Sequence, residues 1–114
     1  MPIPTSQKQT ADRELAAYCD RKILLHVRYK ARLVYQWHGI RVTLIEQRPW
    51  WKDETTWLDS PIAQFRFNYF ANDWTLYWQD RNQRWHRYEE HPGSRSLSHL
   101  LIEVDQDPIG IFWS

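Results

Sequence analysis

The sequence predicts an α+β domain: an antiparallel meander sheet of about five strands, with an N-terminal and a C-terminal helix packed on one face. Three observations carry that prediction. Apolar residues recur at helical spacing near both ends of the chain, over residues 11–19 and 97–104. Between them, from Arg28 to Tyr88, the period falls to two, as in half-buried strands. The alternating runs are joined by short connections, which favour antiparallel neighbours.

At 114 residues the chain suits a single domain, 1–114, with a core that needs neither disulfides nor metals. Residues 1–5 read as a flexible tail. Ser6-Gln7-Lys8-Gln9 fits a capping box with Ser6 as N-cap. The helix that follows, to about Arg21, sets Ala11, Leu15, Tyr18 and Cys19 on one face, so Cys19 reads as a buried, inert thiol. Lys22 to Val27 reads two ways, as more helix or as a connection into which the helix frays.

In the first strand Leu33, Tyr35 and Trp37 alternate with Arg32, Val34 and Gln36. A two-residue turn at His38-Gly39 would set Trp37 against Ile40, Tyr35 against Val42 and Leu33 against Leu44, all on one face. Arg48-Pro49 is expected to end the second strand, because proline cannot donate to a ladder. Lys52 to Ser60 reads as a surface loop anchored by Trp57. Pro61 then opens a third strand, in which Ala63, Phe65, Phe67 and Tyr69 alternate with Ile62, Gln64, Arg66 and Asn68.

After a turn at Asn72-Asp73 comes an aromatic hairpin, Trp74 to Tyr88, around Asp80-Arg81-Asn82-Gln83. Trp74, Leu76 and Trp78 form the inward set. A two- or four-residue loop pairs Trp78 with Trp85, and a three-residue loop pairs Tyr77 with Trp85. Whether Trp85 or the His86/Tyr88 pair joins the inward set stays open. Pro92-Gly93 breaks the strand, and Ser94 or Ser96 caps a second helix with Leu97, Leu100, Leu101 and Val104 on one face. Asp105 to Pro108 stops it. The tail Ile109 to Trp113 is too apolar to be free and is expected to fold back as a short extra strand.

Net charge is +1, so no global field draws the chain to nucleic acid or membrane. No window approaches the roughly 20 apolar residues of a membrane span. One cysteine and no export signal predict a cytoplasmic setting. Eight Trp, six Tyr and four Phe exceed what a core of this size requires, which leaves rings for an exposed binding surface.

The chemistry is mostly excluded. There is no Walker loop, dinucleotide fingerprint, nucleophile elbow or zinc cysteine pair, and the three glycines lie far apart. No cofactor, metal or catalytic residue is assigned. Glu89, Glu90 and His91 beside His86 read as a solvated strand end. His86 is the best candidate for general acid–base work, with Asp80, Glu89 and Glu90 near enough to tune it. The expected function is a non-enzymatic interaction module using the sheet face that the helices leave free, with a protein partner or a second copy. Single-stranded nucleic acid on the same face is the alternative, since such binders combine aromatic platforms with basic residues. The candidate binding residues are Tyr77, Arg84, His86, Arg87, Tyr88, Arg32 and Arg41.

Several strings carry a resemblance. Arg48-Pro49-Trp50, Trp74-Thr75-Leu76-Tyr77-Trp78, Asp80-Arg81, Trp85-His86-Arg87-Tyr88 and Asp107-Pro108 ahead of Phe112 resemble a family of small uncharacterised bacterial proteins that share a domain of unknown function. The resemblance spans about Arg28 to Trp113. It implies one compact domain and brings no reaction, ligand or site residue.

Overall fold

The alternation between Arg28 and Tyr88 becomes a five-stranded antiparallel sheet in the computed structural model, which describes residues 3–113. Strands β1 (Arg32–His38), β2 (Arg41–Trp50), β3 (Asp53–Asn68), β4 (Asp73–Gln79) and β5 (Trp85–Arg87) lie side by side in chain order. Helix α1 (Thr5–Lys22) precedes them and α2 (Leu97–Gln106) follows. Both helices cover the same face. Leu15 and Tyr18 of α1 and Leu100 and Val104 of α2 share one core with Val42, Leu44, Phe65 and Leu76 of the sheet. The helices are also tied to each other, as Tyr18 Oη donates to Asp105 Oδ1 at 3.1 Å and Lys22 Nζ sits 3.0 Å from the same oxygen.

The ends of the helices differ in detail from the sequence reading. Helix α1 starts at Thr5 with Pro4 as its cap residue, and no side chain caps it, so Ser6 is not the N-cap. Ile3, expected in a flexible tail, is buried in the core. Ser96 is the cap residue of α2, and the apolar stripe Leu97, Leu100, Leu101 and Val104 is buried as its spacing requires. The tail after α2 folds back, but not as a strand. Asp107, left-handed at φ 44°, accepts backbone N–H bonds from Ile111 and Phe112 on one carboxylate oxygen and from Trp113 on the other. Phe112 is thereby delivered into the core against Tyr88.

The first hairpin turns one residue later than expected. His38 pairs with Arg41, Trp37 with Val42 and Tyr35 with Leu44. The turn residues are Gly39 and Ile40, with Gly39 at φ 60°, the conformation glycine meets without strain at the first position of a primed turn. The slip moves the partner by two residues, so every side chain keeps its face while Ile40 becomes exposed.

The expected loop at Lys52 to Ser60 is instead the first half of β3, which begins at Asp53. Glu46, Gln47, Arg48 and Pro49 of β2 pair with Ser60, Asp59, Leu58 and Trp57. Proline is tolerated here because β1 reaches only as far as Gln47, so β2 has a free side at Pro49. Pro61 is accommodated likewise, since β4 pairs with β3 only from Gln64 to Asn68.

The aromatic hairpin takes neither register considered from sequence. Trp78 pairs with His86 and Gln79 with Trp85, which leaves a five-residue loop, Asp80 to Arg84. Asp80 accepts the backbone N–H groups of Asn82 and Arg84, and Gln83 adopts φ 66° to close the loop. Trp74, Leu76 and Trp78 face inward as expected, and Tyr88 joins them in the core, while His86, on the same side of the sheet, stacks on Trp78 and stays exposed.

Candidate functional site

Cross-strand pairing sorts the sheet's helix-free face into rows. One row runs His38, Arg41, Arg66, Thr75, and the next runs Gln36, Thr43, Gln64, Tyr77, Arg87. Arg41 and Arg66 therefore stand directly opposite each other on neighbouring strands, an arrangement that destabilises a sheet unless something offsets the repulsion. Among the described residues no carboxylate pairs with either of them.

Arg66 is fixed by its neighbours. Its Nε donates to Gln64 Oε1 at 2.8 Å, and Gln64 Nε2 donates in turn to Thr43 Oγ1 at 3.0 Å. Its guanidinium carbon lies 3.8 Å from the centroid of the Tyr77 ring, a close cation–π contact. Burial, and then the charge of Arg41, hold its guanidinium below the ordinary arginine value. Gln64 is only 6% exposed, so this chain of polar groups forms a floor rather than a mobile fringe. Arg41 is exposed above it.

The turn between β3 and β4 supplies a wall. Asn68 Oδ1 accepts the N–H groups of Phe70 and Ala71, which folds the turn so that Tyr69 and Phe70 meet edge to face at 6.0 Å. Phe70 is 90% exposed and Tyr69 45%. Together with Arg41, Arg66, Thr75 and Tyr77 these rings border an open cleft of about 380 Å³. Chemically the cleft offers two guanidinium groups without counter-charges beside flat apolar faces. It suits an anion attached to a ring.

The structure distributes the seven candidate residues unequally. Tyr77, Arg41 and Arg87 stand in the two adjacent rows just described. Arg32 shares their face but lies three two-residue steps along β1 from His38, about 20 Å at the usual strand rise. There its guanidinium stacks 3.5 Å over the Trp57 ring. Arg84 is in the β4–β5 loop. Tyr88 is 1% exposed and donates from Oη to Glu103 at 2.8 Å, so it is a core residue and not a surface platform. The five-residue loop is the cause, since it gives Tyr88 the parity of Leu76's side of the sheet. Arg66, Tyr69 and Phe70 were not among the candidates. The alternation of Arg66 with Phe65 and Phe67 did point it outward, but its pairing with Arg41 depends on a register between strands.

His86 occupies a different place. It stacks on Trp78 at 4.8 Å, and its Nε2 lies 2.6 Å from Asp80 Oδ2. The bond from His86 first, then that from the Arg84 N–H, holds the Asp80 carboxyl below the usual carboxylate value. A cleft of about 450 Å³ adjoins them, bordered by Glu89, Glu90, Ile109 and Ile111. A base and its orienting carboxylate are thus present, but no serine, threonine, cysteine or lysine lines this cleft. Because Asp80 also holds two loop N–H groups, the pair chiefly fastens the hairpin. Among the described residues no group of three or more His, Cys, Asp and Glu side chains could hold a metal ion. No helix of the described chain is long and apolar enough to cross a membrane.

No curated protein and no solved structure matches the chain. The family described as domain of unknown function (DUF3024) matches residues 3–114, nearly the whole sequence, and the chain belongs to that family.

Proposed function

We propose that the chain is a non-enzymatic interaction module whose helix-free sheet face binds single-stranded nucleic acid. The observation that carries this reading is the in-register pair Arg41 and Arg66, without a carboxylate partner and bordered by Tyr77, Tyr69 and Phe70. A phosphate between the two guanidinium groups offsets their mutual repulsion, and the exposed rings stack on bases without selecting sequence. A protein partner on the same face needs the same anionic chemistry, supplied by carboxylates. The buried, unpaired Cys19 accords with a reducing, cytoplasmic setting for such a module.

Titration of a labelled oligonucleotide at low and raised salt tests the proposal. Binding is expected at low salt, weakening with salt by a slope of about 0.7 per phosphate contact. Arg41→Gln is expected to weaken binding and to lower that slope by about one contact, with the fold unchanged because Arg41 is exposed. No binding at low salt, or binding that ignores both salt and Arg41, overturns it.

A further inference from the structure

We infer that the chain pairs with a second copy of itself along the outer edge of β1, a surface separate from the cleft and independent of its ligand. Strand β1 hydrogen-bonds to β2 alone, so alternate N–H and C=O groups on its other side have no backbone partner among the described residues. Unpaired edges invite another strand, and proteins usually blunt them. The other free edges here are blunted. Strand β5 has only three residues, and the free side of β3 carries Asp53, Glu54, Asp59, Pro61 and two register shifts. Strand β1 has seven residues, no proline, no bulge and no acidic side chain.

Its sequence is complementary to itself. In an antiparallel pairing with a two-fold axis at Tyr35, Leu33 meets Trp37 of the second copy and the two Tyr35 side chains meet each other on the helix side. On the helix-free side Val34 meets Gln36, and Arg32 meets His38. No pair of carboxylates and no pair of arginines is opposed. Above the same axis lies α1, held to β1 by Trp37 Nε1 donating to Asp12 Oδ1 at 2.7 Å and by Tyr35 Oη reaching the Asp12 carbonyl. One turn on, α1 exposes Ala16 and Ala17, small enough for a second helix to approach. Arg13 lies before them and Asp20 after them, so antiparallel copies of α1 place Arg13 of one against Asp20 of the other. Asp20 already sits 3.2 Å from Arg28, at a carboxylate that has room for a further donor. An axis perpendicular to the sheet keeps both cleft-bearing faces on one side. The row Arg66, Arg41, His38 then continues into Arg32 of the second copy.

Sedimentation equilibrium over a concentration series gives the test. The native chain is expected at twice the 14.0 kDa chain mass. Val34→Lys with Gln36→Lys opposes lysines across the junction and is expected to return the mass to one chain, with a retained circular-dichroism spectrum and cooperative melt. Should that variant unfold, the charge swap decides. Arg13→Asp is expected to weaken the dimer, and Arg13→Asp with Asp20→Arg to restore it. A native protein of single-chain mass throughout, a folded lysine variant still at twice the mass, or a charge reversal without effect each overturns the inference.

Discussion

At Gly93 the backbone adopts φ +103°, and a Cβ built there would lie 2.7 Å from the carbonyl oxygen of Trp74. That carbonyl accepts the N–H of Ser94, and the Trp74 N–H donates back to the Ser94 carbonyl, so the contact pins the chain after β5 onto β4. Neither the dihedral nor the gap admits another residue without movement. Gly93→Ala is therefore expected to destabilise the fold by about 1–3 kcal/mol, read as an earlier midpoint in urea with an unchanged slope. From sequence Gly93 was legible only as a breaker beside Pro92. The tight approach depends on a bridge between residues twenty positions apart, and no local pattern encodes it. The same limit hid the pairing of Arg66 with Arg41, since the outward direction of Arg66 follows from alternation but its cationic neighbour follows from a register between strands.

The hairpin from β4 to β5 shows how an element can be recognised while its register escapes. Two aromatic arms around a polar centre identify it, yet the loop length rests on one side chain. Asp80 gathers the N–H groups of Asn82 and Arg84 and the ring of His86, which stabilises five loop residues where two to four were expected. One extra residue reverses which of Trp85 and His86 lies on the helix-bearing side of the sheet. The Asp80 carboxyl is held below its unfolded value, so the stability it contributes is complete above the ordinary carboxylate range and is lost as the pH falls through the folded value. Acid titration followed by amide resonances of Asn82 and Arg84 is expected to show the loop loosening there, and Asp80→Asn to remove that transition. Persistence of the transition in the variant would point to another carboxylate. The lower half of β3 escaped for a related reason. Its acidic and threonine-rich sequence resembles a loop, and only pairing with β2 makes it a strand.

Across the whole molecule two buried phenols bond to α2, Tyr18 to Asp105 and Tyr88 to Glu103. Burial first, then Asp105, raises Tyr18 above the ordinary tyrosine value, and burial first, then the bond to Glu103, raises Tyr88. For a group whose folded value is raised, the stabilisation is present below the unfolded value, about 10 for tyrosine, and is lost as pH rises beyond it. Alkaline titration is thus expected to release the phenolate absorbance of Tyr18 and Tyr88 together with cooperative unfolding. Tyr88→Phe should remove one phenolate from that step. Ionisation of Tyr18 and Tyr88 without unfolding would contradict the burial described. At this scale the sequence was most legible: helix, meander, helix and the shared face all follow from periodicity and short connections. The order of strands in space repeats their order along the chain, and this has a consequence for how the structure can assemble. Every strand meets its neighbour across a short loop, and closing such loops sacrifices little chain entropy. A more demanding closure joins the two helices. It comes where Tyr18 and Lys22 reach Asp105, 87 and 83 positions away, so the union of the first helix with the last is the topological seam of the molecule.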